Sequence, residues 1–390
     1  MGIREIMKYF VIWRGLLFIF LFLALYYLPL QKNFLGGGLE NYLEKPYLWA
    51  WANFDGEHYL AIAKEGYKPL TYFYFPVYPI STRLFAGLIG GSFYSYVVSG
   101  LFLSHAAFFI GLIGLVRLIR LDYKKDIAIT TVFLLLLFPT SFYFGSFYTE
   151  SLFLALVVWS FYFARKKRWI LAGLFGAIAS ATRIVGVVLF PALVVEAWGD
   201  RRDKEDRRNW GMKIFGVFLI PIGLFFYMYY LKSTTGDPLE FLHSVGIYGE
   251  QRSTQIILLP QVFYRYIFKI LPNINYDYFP VVFTTWLEFL TAVLFGGLGL
   301  LGILGGLKRL RKIRIRLSYL IFLVLGYIIP TLSGSFSSMP RYVLILFPGF
   351  ILMAVYLNEL KSSYRYFFFC VLFILLGIAT ALFVRGYWIA

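Results

Sequence analysis

The chain has 390 residues, of which 60% are hydrophobic and only 15% charged, and it carries a net charge of +17. Apolar runs of about 20 residues recur from end to end, long enough to cross a hydrocarbon core of ~30 Å, so a water-soluble fold is excluded. Nucleic acid is excluded as the reason for the basic balance: no recognition motif accompanies the charge, which falls in short clusters between apolar runs. A β-barrel would need alternating strands, and FLLLLF at 133–138 does not alternate. Backbone amides in lipid must be bonded within their own segment, so the runs are predicted to be helices.

The first predicted span covers about 9–30, behind a basic start of Arg4, Lys8 and Arg14. It resembles a signal peptide, but no small-residue cleavage site follows, so it is read as a retained helix. The start MGIREI lacks the Ser or Thr at position 6 that myristoylation requires. A polar and aromatic outer loop, 31 to about 90, comes next, and a descending span runs over 93–118. Residues 127–164 lie between LDYKKD and ARKKR and must rise and return, turning at FPTSFYFG (138–145), where Pro139 and Gly145 interrupt the helix. Residues 169–199 lie between ARKKR and RRDKEDRR (201–208) and are too short for two full spans. They are predicted to form two short helices meeting near ATRIVG (181–186), with Arg183 at the outward tip.

A seventh span at 212–231 leads into a second outer loop, 232–279, which contains the amphipathic run QVFYRYIFKI, suited to the membrane interface. Four more spans follow at 281–306, 317–332, 342–358 and 366–384, the first two separated by KRLRKIRIR (308–316). The expectation is an all-α polytopic membrane protein of about eleven spans, one membrane domain made of modules 1–231 and 232–390. With the basic clusters inside, the amino terminus is inside and the carboxyl terminus outside. Cys370 is the single cysteine, which excludes an internal disulfide and a multi-cysteine metal site.

On this path Asp55, Glu57, His58, Arg83, His105, Glu150, Arg183, Glu288 and Arg341 all fall near the outer boundary. His105, alone in an apolar span, reads as a hydrogen-bonded packing residue. Glu150 reads equally as a charge favoured by the amino end of its helix and as a ligand-binding carboxylate. Arg183 and Arg341 are costly at membrane depth unless each meets an anion, a carboxylate or a bound phosphate. Asp55 follows the first span within FDG, where Gly56 permits a sharp turn, and a short helix from Glu57 to Lys64 would place it at the amino end. Spacing alone leaves open whether Asp55 caps that helix or accepts a proton. The Asp55–Glu57 pair could hold a divalent cation, although none is required.

The run WANFDGEHYLAIAKEGY (51–67), with FPVYP at 75–79, resembles the signature of the PIG-V-like mannosyltransferases, multi-span enzymes of the GT-C superfamily. FPTSFYFGSFYTESLF (138–153), ATRIVG and PRYVLILFP (340–348) extend the likeness over most of the chain. Two positions depart from the family pattern: Phe54 stands where Trp is usual, and His58 where an aromatic ring is common. The resemblance implies a GT-C-like catalytic module in 1–231 and transfer of a sugar, commonly mannose, from a polyprenyl or dolichyl phosphate to a glycan, glycolipid or protein acceptor on the outer or luminal face. It makes Asp55 the general base, with Glu57 or His58 as substitute or orienting partner. Arg183 and Arg341 would contact the lipid phosphate, and Glu150 a sugar hydroxyl. Trp51, Tyr59 and Tyr78, with Trp49, carry rings suited to sugar stacking or to interface anchoring. No cofactor is expected. The competing expectation is a transporter or flippase of lipid-linked sugars, which should carry ionisable groups near the midplane of several spans. Few are visible, and no internal repeat is present. The membrane is expected to be a prokaryotic plasma membrane, or an endoplasmic reticulum with the site luminal.

Overall fold

The computed structural model describes residues 1–199, 210–244, 255–306 and 315–389. The basic run expected at 201–208, residues 308–314 of the run expected at 308–316, and the part of the second outer loop at 245–254 lie outside the described residues. All regular elements among the described residues are helical. In chain order they are α1 (Ile3–Tyr27), four helices of the first outer loop, α2 (Gly38–Glu44), α3 (Pro46–Trp49), α4 (Asp55–Glu65) and α5 (Val77–Leu88), and then α6 (Phe93–Ile119), α7 (Lys125–Leu137), α8 (Glu150–Arg165), α9 (Trp169–Ser180) and α10 (Leu189–Gly199). There follow α11 (Trp210–Thr235), broken at Pro221, α12 (Leu259–Arg265), α13 (Phe279–Gly306), α14 (Leu317–Thr331), α15 (Phe347–Glu359) and α16 (Ser362–Val384).

Helices stand at each of the eleven expected span positions. Among the described residues, α1, α6, α11, α13 and α16 are long and apolar enough to cross a membrane, and the segment Met339–Ile345 joined to α15 at 86° makes a sixth, bent candidate. Large apolar side chains on their outer faces, such as Phe22 on α1, Phe226 on α11, Leu290 on α13 and Phe367 on α16, are exposed. Such a surface is stable against hydrocarbon and not against water. The chain is an integral, multi-pass membrane protein.

The shorter helices are ended by irregular backbone that the protein itself buries. Between α7 and α8 the turn Ser141–Gly145 lies wholly inside the bundle. Its polar groups find partners there: Trp13 Nε1 donates to Ser141 Oγ (3.1 Å), Ser151 Oγ to the Phe144 carbonyl (2.6 Å), and Phe147 N to the Trp51 carbonyl (2.8 Å). Non-helical backbone at membrane depth survives only when buried and bonded in this way. On the other flank α9 and α11 approach through small residues. A Cβ on Gly173, Gly216 or Gly223 would collide with the backbone of Gly216, Trp169 or Ala177 respectively. Close backbone approach of this kind is how helices pack where no hydrophobic effect drives them together.

The first outer loop is fastened to the end of α16. Asn53, fully buried, accepts from Gly36 N (3.0 Å) and donates to the Phe383 carbonyl (3.0 Å). Arg385 Nε donates to the Leu28 carbonyl (2.9 Å), and Gln31 N to that of Arg385 (3.0 Å). One expectation needs correcting here. Arg14, grouped with the basic start, lies in the middle of α1, its guanidinium over the Trp51 ring at 4.1 Å and the Phe18 ring at 4.5 Å. Arg14 is the twelfth residue of α1, and the rise of the helix lifts it about 17 Å from the helix start, too deep to belong to a basic cluster at the membrane surface.

Candidate active site

The chain reaches Asp55 through a strained residue. Phe54 has φ +57°, a conformation that costs a side-chain-bearing residue of order 1 kcal/mol. It is held by its N–H on the Phe34 carbonyl (2.9 Å) and by packing on Phe34, Phe383 and Trp388. The turn places Asp55 as the first residue of α4, and Gly56 lies close against the Phe147 carbonyl and the Tyr148 ring, which a Cβ there would meet at 3.4 Å, in ordinary van der Waals contact. At the far end of α4, Arg83 donates to the carbonyls of Ala63 (2.6 Å) and Ile62 (3.3 Å), which fixes the helix and accounts for that cation.

Asp55 opens onto a cavity of about 780 Å³, whose wall also includes His58, Tyr74, Tyr266, Glu288, Arg341 and Trp388. Its Oδ2 pairs with Arg341 at 2.5 Å, and its Oδ1 accepts from the Tyr74 hydroxyl at 3.3 Å. Behind that pair lies a second carboxylate. Glu150, 1% exposed, accepts from Arg183 at 2.5 Å and stands 3.6 Å from Arg341 Nε. Arg183 also donates to Thr149 Oγ1 (3.2 Å). The rings of Tyr143, Tyr148 and Tyr342 lie 5.5 to 5.6 Å from the Arg341 guanidinium and offer it cation–π contact. Two carboxylates and two guanidiniums from four separate stretches of chain thus meet at one cavity wall. Glu150 Oε2 and Arg341 Nε have no hydrogen-bond partner among the described residues.

Of the residues expected at the site, Asp55, His58 and Arg341 line the cavity, with Glu150 and Arg183 directly behind. His58 stacks on Tyr74 (centroids 5.2 Å apart, planes at 22°), as an aromatic residue would at that position. The others need correction. Glu57 is not on the cavity wall, because residues two apart on a helix do not share a face. Burial raises its carboxyl above the ordinary value, an effect opposed by the charge of His58. Asp55 and Glu57 therefore do not converge as a cation-binding pair. Trp51 is fully buried against Arg14 and α1, donating to the Tyr47 carbonyl (3.0 Å), and cannot stack on a sugar. Tyr78 is also fully buried, its hydroxyl on the Gly100 carbonyl and Ser104 Oγ, both at 2.9 Å. Tyr59 packs edge-on to Tyr74 (4.9 Å) and Tyr78 (5.6 Å), and burial raises its hydroxyl pKa. These three rings are core. His105 bonds through Nδ1 to the Leu101 carbonyl (2.6 Å), as its isolation suggested.

Asn53, Tyr74 and Tyr266 were not anticipated in these positions, and Glu288, expected only near the outer boundary, lines the cavity beside Tyr266. Asn53 and Tyr74 lie inside or just beyond the WANFDGEHY segment. Glu288, whose Oε2 accepts from Tyr266 at 3.0 Å, is the one charged residue of α13, which is itself a signal.

Comparison with known proteins adds to this geometry. No curated protein matches the chain. Among solved structures, the crystal structure of ArnT from Cupriavidus metallidurans bound to undecaprenyl phosphate is similar, with a TM-score of 0.51 and 14% identity over 97% of this chain and 76% of that one. At that identity the likeness shows the fold, which is of the GT-C type. The profile of glycosyltransferase family 87 matches residues 72–329, a stretch that holds Glu150, Arg183 and Glu288 and lies between Asp55 and Arg341. A match over 258 of 390 residues (72 to 329 inclusive) shows the family: the chain belongs to glycosyltransferase family 87.

Proposed function

We propose that this glycosyltransferase moves a hexose, mannose by the resemblance of its motifs, from a polyprenyl or dolichyl phosphate to a hydroxyl of a glycan, glycolipid or protein acceptor, with inversion and with Asp55 as general base. The observation that carries the reading is the Asp55–Arg341 pair on the cavity wall. An acceptor hydroxyl attacking the anomeric carbon must lose its proton as that carbon becomes oxocarbenium-like, and a carboxylate at the cavity can take it. The bond that breaks joins the anomeric carbon to a phosphate oxygen. Phosphate leaves as an anion and needs a cation more than a proton, which Arg341 supplies. A donor phosphate on Arg341 would also draw that guanidinium from Asp55 and release the carboxylate to act as base.

Arg183 lies behind the wall on Glu150 and acts by holding the cluster together. Glu150, bridging both arginines, orients Arg341 in place of the sugar contact first expected of it. ArnT, crystallised with undecaprenyl phosphate, supports a polyprenyl-phosphate carrier for this chain as well. Modules 1–231 and 232–390 both contribute, the first with Asp55 and the second with Arg341. The site faces outward or to the lumen, across a prokaryotic plasma membrane in the default setting, and the scheme uses no metal.

Purified protein incubated with synthetic polyprenyl-phosphate sugars, with sugar loss from the donor measured for wild type and Asp55→Asn, tests the assignment. We expect the variant to lose on the order of 10²- to 10⁴-fold in turnover. Equal turnover would remove Asp55 from the mechanism, and sugar-lipid movement across vesicles with no glycosidic bond formed would identify a flippase.

A further inference from the structure

Glu288 sits in the middle of an apolar helix, 6% exposed, where an ionised carboxylate is costly to keep. It lies on the face of α13 that looks into the cavity, with Val281, Thr284 and Thr285 at helical spacing on the same wall. One hydrogen bond runs directly to the loop that precedes Arg341, and another reaches that loop through Tyr266. Oε1 accepts from Ser338 N (3.2 Å) and Oε2 from the Tyr266 hydroxyl (3.0 Å), which itself accepts from Phe336 N (3.2 Å). Ser338 is left-handed, at φ +67°, a strained state for a residue with a side chain, and one that persists only where its surroundings hold it. The Ser338 carbonyl then accepts from Arg341 N (3.0 Å) and Tyr342 N (2.9 Å), starting the short helical turn Met339–Tyr342 from which Arg341 reaches Asp55.

We infer that Glu288 is a positioning residue for Arg341: with Tyr266 it holds the strained Ser335–Ser338 loop, and so sets where that guanidinium stands at the cavity wall. The inference rests on the reading that Arg341 receives the donor's phosphate. A glutamate that merely satisfied Tyr266 could have been avoided by a phenylalanine and an apolar partner at lower cost. Oε1 instead bonds the loop that ends in the site's cation directly and Oε2 reaches the same loop through the Tyr266 hydroxyl, so two linkages fix its orientation as well as its position.

The test is a double-mutant cycle read by the affinity of the full-length, detergent-purified protein for a short-chain polyprenyl phosphate, which needs no acceptor. Arg341→Lys should weaken binding about tenfold by removing the planar fork. Glu288→Gln should weaken it about fivefold in the wild-type background and less than about twofold on top of Arg341→Lys, because the two residues act as one unit. Tyr266→Phe should give a smaller loss in the same direction, and it decides the matter if Glu288→Gln does not fold. Wild-type affinity in Glu288→Gln or in Tyr266→Phe, or the same loss for Glu288→Gln in both backgrounds, overturns the inference while leaving Arg341 as the phosphate ligand. Wild-type affinity in Arg341→Lys removes that underlying reading, and the inference with it.

Discussion

The two ends of α8 carry clusters of the same composition and opposite character. At its carboxyl end Arg165 forks onto Asp122, bonded to both oxygens, and its Nε lies 3.3 Å from Glu196. Arg316 forks onto Glu196 at 2.7 and 3.3 Å, and Ser318 and Tyr319 supply further donors to the two acids. At its amino end, about 23 Å away along the helix, two arginines and two acids meet through single prongs, and Glu150 Oε2 and Arg341 Nε are left without hydrogen-bond partners among the described residues. A saturated, bidentate network locks helices together. An undersatisfied one beside a cavity holds charge ready for a ligand, and a buried polar atom without a partner costs about 1–3 kcal/mol that a structural clamp would not retain.

Exchanging damage between the two ends is the strongest challenge to that contrast. Arg341→Ala should reduce sugar transfer per folded molecule by roughly 10²-fold or more, a larger effect than the stability it loses by stranding Asp55 and Glu150. Arg165→Leu should do the reverse. Stranding Asp122 and Glu196 should cost on the order of 3 kcal/mol of stability, with turnover per folded molecule near wild type. If Arg165→Leu instead kept its stability and lost activity, the two ends would not differ in the way described. A smaller effect is expected from Glu57→Gln. Burial holds the Glu57 carboxyl above its ordinary value, so its contribution to stability is complete below the unfolded glutamate pKa and is lost as pH rises through the folded one. The Gln variant should therefore melt slightly higher than wild type at pH 7, and the difference should shrink as the pH falls toward 4. A constant difference across that range would mean that Glu57 does not titrate as its burial implies.

Much of this was legible in the chain. The helical class and the eleven helical positions follow from apolar runs separated by basic clusters and broken at Pro139 and ATRIVG. Asp55 stood out because FDG breaks an aromatic stretch beside a span, and Arg183 and Arg341 because a guanidinium at membrane depth demands an anion. What the sequence could not supply was partnership. Arg341 meets an acid 286 residues away, and nothing local announces that Glu150 serves both arginines. The rings were misread for a physical reason: beside a polar motif, Trp51 and Tyr78 look like sugar platforms, and only packing reveals them as core. Helix geometry alone would have separated Glu57, two residues from Asp55, from His58 at three. Arg14 was grouped by nearness in sequence when the rise of the helix had already carried it away.

The central claim is that the Asp55–Arg341 pair is where donor and acceptor meet, and a cryo-EM structure of the protein with a polyprenyl-phosphate sugar bound tests it most directly. The account predicts the donor phosphate within hydrogen-bond distance of Arg341 and the anomeric carbon in the cavity in front of the Asp55 carboxylate. A donor phosphate seated at the Asp122–Glu196 end of α8, or a sugar bound with Asp55 turned away from it, would contradict the account.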